Sequence, residues 1–280
     1  MSEEEVLTRP EPPPDARIPY GAGPSRFIDV RLSRTTDPGP GLVNLHGGFW
    51  RAENSLEHAG ALCHALRAQG ISTFNVEYRR VGEEGGGWPG TLEDVRSAYR
   101  FLRTAHERFH VDPRRWVVMG HSAGGQLALY LAANDPTVRA VISLAGVLDL
   151  RRASALRLGE DAVDRFLGGG PEAVPERYRI ADPMELTVAP ARQWVLHGTD
   201  DALVPVEFAR EYVRRKSNPK TAPGRKSEAV ELVKFPRAGH FDLIDPGSEA
   251  FAHVTAIVRT AVGGRLATSP DNGGSTPRIL

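Results

Sequence analysis

Short apolar runs and longer amphipathic stretches alternate along most of the chain. Runs rich in β-branched and other apolar residues predict strands, and apolar positions that recur every three to four residues predict helices. The predicted strands are residues 27–32, 42–45, 72–78, 116–119, 140–146, 193–196 and 229–235. The predicted helices are residues 56–69, 91–109, 126–133 and 248–262, with another that starts at 205.

This alternation predicts an α/β fold with a mostly parallel central β-sheet and helices on both faces. Residues 147–190 break the rhythm with short helical patches, glycines and prolines, so we expect a small cap insertion over the site. Residues 1–17 are acidic and rich in proline, which predicts a flexible N-terminal arm. Residues 263–280 are small and polar, which predicts a flexible C-terminal tail. The expected organisation is one domain, residues 18–262, between two flexible ends.

The segment GHSAG, residues 120–124, joins a predicted apolar strand to a predicted helix. It matches the G-x-S-x-G pattern in which a sharp strand-to-helix turn presents a serine hydroxyl at its tip. Gly120 and Gly124 flank that turn, where the crowded backbone leaves no room for side chains. Ser122 is therefore the candidate nucleophile.

The segment HGGFW, residues 46–50, follows another predicted strand. Two glycines there let the backbone turn its N–H groups into a cavity, where they can bind the oxyanion of an acyl-transfer reaction. The N–H after the nucleophile is the usual companion donor. We expect the oxyanion hole to consist of the N–H groups of Gly48, Phe49 and Ala123, and His46 to brace this loop through hydrogen bonds.

Two tryptophans are candidates for substrate binding. Trp50 ends the glycine-containing segment, and Trp88 lies in a glycine-rich loop over residues 79–90. Both could face a pocket for a small aryl or acyl group. The alternatives stay open: Trp50 could belong to the core, and Trp88 could lie against the domain surface.

A serine nucleophile needs a base, and the base needs a carboxylate that orients it. Of the nine histidines, His240 is the one in a loop after the last predicted strand, beside a glycine. Asp201 follows a late strand and completes the chain order Ser122, Asp201, His240, one of the orders in which triad residues occur. Asp200 and Asp149 remain alternative acids.

Composition and the lack of certain motifs argue against several other functions. Lys and Arg total 35, Asp and Glu total 35, and the net charge is +0, so nothing favours a nucleic-acid partner. H-E-x-x-H, Cys/His zinc spacings and dinucleotide-binding glycine motifs are missing, so we expect no metal and no cofactor. The single cysteine, the acidic start and the lack of a long apolar run favour a cytoplasmic protein without a membrane partner.

The chain resembles the α/β-hydrolases over most of residues 26–262. The resemblance is carried by HGGFW at 46–50, GHSAGG at 120–125, HGTDD at 197–201, and Gly239 with His240. The H-G-G-x-W form is similar to the kynurenine formamidase (arylformamidase) branch of these serine esterases.

The resemblance implies hydrolysis of small aryl formamides or carboxylic esters by a triad of Ser122, Asp201 and His240. A non-catalytic binding protein on the same fold is the rival hypothesis, since a fold alone does not determine function. A small peptidase similar to the oligopeptidases is the third hypothesis. A homodimer stays open.

Overall fold

The computed structural model describes residues 3–10, 12–34, 38–187, 190–218 and 230–263. Within these ranges eight strands form one sheet. They are β1 (Ala16–Pro19), β2 (Phe27–Arg31), β3 (Gly39–Leu45), β4 (Ser72–Val76), β5 (Val111–His121), β6 (Ala140–Leu144), β7 (Arg192–Gly198) and β8 (Val230–Phe235).

The strand order is β1-β2-β4-β3-β5-β6-β7-β8. Strands β3 to β8 run parallel, and β1 and β2 add an antiparallel edge. Every residue of β3, β4 and β6 is buried, as expected for parallel strands that are covered on both faces. The predicted α/β architecture with a mostly parallel sheet is confirmed.

Helices cover the two faces of the sheet and form two cores. They are α1 (Glu3–Thr8), α2 (Gly60–Ala68), α3 (Gly90–Thr104), α4 (Ala123–Asn134), α5 (Leu150–Ala155), α6 (Leu158–Leu167), α7 (Pro175–Ala181), α8 (Glu207–Lys216) and α9 (Glu249–Ala261). Helices α3, α4 and α8 pack on one face, and α2 and α9 pack on the other. Alternate residues of β5 pack into the two cores. Val118 belongs to the core beneath α3, α4 and α8, and Val117 and Met119 belong to the core beneath α2 and α9. No helix in the described ranges is long and apolar enough to span a bilayer.

Two of the predicted helices are divided in the structure. The first begins as a 3-10 turn, Leu56–Ala59, before α2. The Ser55 side chain caps this turn by accepting a hydrogen bond from the Glu57 N–H at 3.3 Å. The other ends as α3 at Thr104, and a second 3-10 turn, His106–Phe109, follows it.

The N-terminal residues, which were predicted to form a flexible arm, make contacts with the domain. Val6 of α1 is buried in the core beside α2 and α9, and Arg9 lies 2.8 Å from the buried carboxylate of Asp245. Strand β1 pairs with β2. These partners are distant in sequence, so the acidic, proline-rich composition did not reveal them. Residues 264–280 of the expected tail lie outside the described residues.

The segment expected to be a cap contains α5, α6 and α7, which pack on the same core as α3 and α4. Asp182 follows α7 and is fully buried. Its carboxylate accepts the N–H groups of Met184 at 3.0 Å and Arg151 at 3.2 Å. Burial, aided by the charge of Asp149, raises the pKa of Asp182 to about 7 although these backbone donors oppose the shift.

This raised pKa predicts a stability that falls as the pH rises. The unfolded chain ionises Asp182 near its ordinary pKa, whereas the folded chain resists ionisation up to about 7. The loss of folding stability caused by Asp182 therefore begins at about pH 4 and reaches its full size above about pH 7. We expect the unfolding free energy of Asp182→Asn, relative to the parent, to rise by about 2–4 kcal/mol between pH 4 and pH 8.

Urea unfolding at the two pH values measures this difference. Glu172→Gln is the matched control, because it removes an exposed carboxylate from the same segment and should show little change with pH. A pH-independent difference for Asp182→Asn would show that this carboxylate does not titrate as described.

Candidate active site

The turn between β5 and α4 holds Ser122 in a strained conformation. Its φ is +55° and its ψ is −120°, outside the regions that L-residues prefer. A Cβ on Gly120 would lie 2.0 Å from the carbonyl oxygen of Gly124, and a Cβ on Gly124 would lie 2.0 Å from that of Leu45. Both flanking glycines are therefore required by the close approach of backbone.

His240 and Asp201 form a buried hydrogen-bonded pair. His240 Nδ1 donates to Asp201 Oδ2 at 2.7 Å, which leaves Nε2 of the imidazole available. The other carboxylate oxygen accepts the N–H groups of Leu203 at 2.9 Å and Val204 at 2.8 Å. Burial alone raises the pKa of Asp201, but hydrogen bonds from His197 and His240 outweigh it, and the pKa lies below its ordinary value.

Ser122 and His240 both line one cavity of about 130 Å³. Ser122 comes from the end of β5, Asp201 from the loop after β7, and His240 from the loop after β8. Because β5, β7 and β8 are parallel, their carboxyl ends meet at one edge of the sheet. The residues that line the cavity are Leu7, Gly48, Phe49, Asn54, His58, His121, Ser122, Leu203, His240 and Phe241.

The glycine-containing loop after β3 lies directly against the candidate nucleophile. A Cβ on Gly47 would lie 3.1 Å from the Cβ of Ser122. Gly48 and Phe49 both line the cavity, and both have positive φ, at +103° and +51°. Ala123 directly follows Ser122 and opens α4, where the first N–H groups have no acceptor within the helix. The role of these three N–H groups as oxyanion donors stays a prediction.

His46 braces this loop from beneath. Its ring is fully buried and stacks on Tyr78 with 4.4 Å between the ring centroids. Nδ1 lies 2.8 Å from the carbonyl oxygen of Gly47, and Nε2 lies 2.8 Å from a carboxylate oxygen of Glu77, both within hydrogen-bond distance. The expected bracing by hydrogen bonds is present. Sequence reasoning missed Glu77 and Tyr78, because the pairing of β3 with β4 places them there.

The two alternative acids have other partners. Asp149 caps α5, where its side chain accepts the N–H of Arg152 at 2.9 Å. Asp200 is exposed and accepts the hydroxyl of Thr199 at 2.9 Å. The geometry therefore favours Asp201 as the partner of His240.

The two tryptophans proposed for substrate binding do not line this cavity, which corrects that expectation. Trp50 is fully buried, stacks on Phe166 of α6 at 4.6 Å, and donates to the side chain of Gln126 at 3.1 Å. Trp88 packs partly buried against the core, and its backbone N–H donates to the backbone carbonyl of Phe166 at 2.8 Å. Stacking on Phe166 of α6 holds the Trp50 side chain in the core and away from the site.

Two histidines of the cavity wall were not recognised from the sequence. His121 Nε2 donates to the backbone carbonyl of His240 at 3.0 Å, and burial lowers the pKa of His121 well below its ordinary value. Burial also lowers the pKa of His58 to about 3. Both rings are therefore neutral at pH 7, and His121 holds the backbone of the candidate base. Only the tertiary contacts reveal these positions.

Comparison with known proteins adds a family model and several relatives. The BD-FAE family model matches residues 28–215. Esterase LipC of Mycobacterium tuberculosis is 31% identical over 250 residues, which cover 82% of this chain and 60% of LipC. Kynurenine formamidase avaC of Aspergillus versicolor is 28% identical over 250 residues, which cover 72% of this chain and 82% of avaC. The chain spans about 60% of the length of the first curated relatives it matches.

Solved structures support the same fold. Esterase B of Lactobacillus Rhamnosis superposes with a TM-score of 0.75 at 15% identity and covers 93% of this chain and 90% of its own. The thermophilic esterase Est2 of Thermogutta terrifontis superposes with a TM-score of 0.68 at 24% identity. That superposition covers 91% of this chain and 96% of Est2. At such identities the likeness establishes the fold, and the expected α/β-hydrolase fold is confirmed.

The contact between β3 and the turn that carries Ser122 predicts that Gly124 does not tolerate a larger residue. Gly124→Ala places a Cβ on the Leu45 carbonyl, and backbone must move to relieve the overlap. We expect a loss of about 3 kcal/mol in unfolding free energy, measured by urea unfolding. Gly239→Ala is the control, because its Cβ would meet ordinary van der Waals contact at 3.6 Å. Equal stability of the two variants would contradict the close approach at Gly124.

Proposed function

Since this chain belongs to the BD-FAE family, we propose that it is a serine hydrolase that cleaves small carboxylic esters through an acyl-serine intermediate. The observation that carries this proposal is the placement of Ser122 in one cavity with His240, whose Nδ1 is held by Asp201. Esterases among the relatives and the structural neighbours support ester hydrolysis as the reaction.

In the first half of the reaction, Nε2 of His240 takes the proton of the Ser122 hydroxyl as its oxygen attacks the substrate carbonyl carbon. Asp201 holds the imidazole in the tautomer that leaves Nε2 free, and its negative charge stabilises the imidazolium that forms. The strained turn at Ser122 fixes the hydroxyl at the cavity, so little ordering is needed at the moment of attack.

The oxyanion of the tetrahedral intermediate is bound by the N–H groups of Gly48, Phe49 and Ala123. Each such donor contributes roughly 100–1000-fold in rate. His240 then protonates the leaving alcohol, and the acyl group stays on Ser122. Water attacks this acyl-serine with His240 again as the base, which releases the carboxylic acid and restores the serine hydroxyl.

The cavity supports a short acyl group. Its volume of about 130 Å³ is well below the ~300 Å³ at which pockets for drug-sized ligands begin. Leu7, Phe49, Leu203 and Phe241 give it apolar walls, and Leu7 reaches it from α1. We therefore propose acetyl- to butyryl-sized acyl groups as the substrates of this site.

An aryl formamide is the second candidate substrate. The formyl group is the smallest acyl group, so it fits the same cavity. The alignment covers 82% of kynurenine formamidase avaC, against 60% of LipC, so avaC matches this chain over more of its own length. The ratio of kcat/KM for N-formylkynurenine to that for p-nitrophenyl acetate decides between the two. A preference for the ester above about 100-fold, or about 2.7 kcal/mol in transition-state binding, excludes aryl formamides as the substrate class.

Removal of the proposed nucleophile should abolish hydrolysis. We expect Ser122→Ala to lower kcat on p-nitrophenyl acetate by on the order of a millionfold, since the remaining groups cannot form the acyl intermediate. Ser143→Ala is the matched control, because Ser143 is a buried serine on the neighbouring strand β6. A fluorophosphonate probe should label the parent and the control, but not Ser122→Ala. An unlabelled, inactive parent would favour the non-catalytic binding protein.

The apolar wall at Leu7 predicts the chain-length preference. The parent should hydrolyse p-nitrophenyl acetate at least about tenfold better, in kcat/KM, than the octanoate ester, because eight carbons exceed the cavity. Leu7→Ala opens that wall and should lower the ratio of kcat/KM for the acetate to kcat/KM for the octanoate ester. Leu156→Ala, at an exposed leucine outside the cavity, should leave it unchanged. A parent that hydrolyses both esters equally would contradict the assigned acyl site.

A further inference from the structure

Both ring nitrogens of His46 lie 2.8 Å from oxygen atoms, although the ring is fully buried. The Gly47 carbonyl can only accept a hydrogen bond, and so can the Glu77 carboxylate when it is ionised. The geometry of these two contacts points to a proton on each ring nitrogen, beneath the loop that borders Ser122.

Glu77 is built to stay ionised in this buried place. Burial raises its pKa, but the charge and hydrogen bond of His46, with Arg80 and the Leu56 N–H, outweigh burial and bring the pKa below its ordinary value. The Leu56 N–H donates to Oε2 at 3.0 Å, and the Tyr78 N–H donates to Oε1 at 3.0 Å. The carboxylate therefore has the donors that a buried charge requires.

Glu77 is the anionic group that faces the His46 ring directly, and it favours a positive charge there. The cation of Arg80 lies 3.3 Å from Oε2 of the same carboxylate and opposes that charge. The Tyr78 ring stacks on the His46 ring, and the His58 ring meets it edge-on at 5.7 Å. His58 is neutral because burial lowers its pKa to about 3, so it adds no opposing charge.

The Gly47 carbonyl connects this charge to the site. That carbonyl and the N–H of Gly48 belong to the same peptide unit, and Gly48 is one of the proposed oxyanion donors. A charged donor on the carbonyl polarises the amide and makes its N–H a stronger donor. We propose that the His46–Glu77 pair is a positioning unit that strengthens the Gly48 N–H toward the oxyanion. This inference rests on the proposed function, because it needs an oxyanion at Gly48.

The pair predicts a specific kinetic signature. Glu77→Gln keeps the shape, and its amide can still hydrogen-bond to His46, but it removes the negative charge that stabilises the second ring proton. We expect kcat on p-nitrophenyl acetate to fall about 10–100-fold while KM changes less than about threefold, because the polarised N–H acts on the transition state. The affinity for a boronic-acid transition-state analogue should fall by a similar factor.

Glu83→Gln is the matched control. Glu83 is also held by Arg80, through its N–H and guanidinium, but it has no contact with His46. The control should keep the parent kcat and the parent affinity for the boronic acid. If Glu77→Gln folds and keeps both values, the inference is overturned. It is also overturned if KM rises as much as kcat falls, since that indicates a distorted site.

A measurement without catalysis tests the charge itself. The ¹⁵N spectrum of histidine-labelled parent protein at pH 7, assigned with His46→Gln, should show both His46 ring nitrogens protonated, and Glu77→Gln should show one. A single ring proton on His46 in the parent overturns the inference, even if Glu77→Gln does not fold. A parent that lacks hydrolysis and fluorophosphonate labelling, but shows both protons, refutes the proposed function instead, and with it the oxyanion role.

Discussion

The site depends on one close approach of backbone. Leu45, at the end of β3, pairs with Gly120 of β5 in the sheet, and its carbonyl fills the space where Gly124 would carry a Cβ. This contact locks the loop after β3 against the turn that carries Ser122. The candidate donors and the candidate nucleophile therefore keep a fixed relation that follows from sheet register, before any side chain contributes.

The sequence predicted the architecture because its signals are local. Apolar runs and amphipathic stretches identified the parallel strands and the main helices, and the chain order of the motifs indicated which loops meet at one edge of the sheet. The pairing of His240 with Asp201 agrees with the assignment made from those motifs. The capping role of Asp149 and the exposure of Asp200 agree with it as well.

What the sequence could not supply are contacts between segments far apart in the chain. Leu7 reaches the cavity from a segment whose composition predicted a flexible arm. Trp50 stacks on Phe166, and the backbone N–H of Trp88 donates to the Phe166 carbonyl, in a segment that breaks the rhythm of strands and helices. The place of His58 and His121 in the cavity wall follows from tertiary contacts that form only in the assembled fold. Aromatic and histidine side chains are ambiguous in sequence because both cores and sites use them.

The stacking of Trp50 on Phe166 has a consequence for the evolution of this fold. Trp50 follows the glycine-containing loop directly, Phe166 belongs to α6, and the Gln126 side chain ties the indole to the carbonyl of Ala181 in α7. Helices α6 and α7 are thus attached to the same loop that borders Ser122. Chimeras that exchange these helices between relatives would have to transfer Trp50, Gln126 and Phe166 together, so the helices and the loop are expected to vary as one unit.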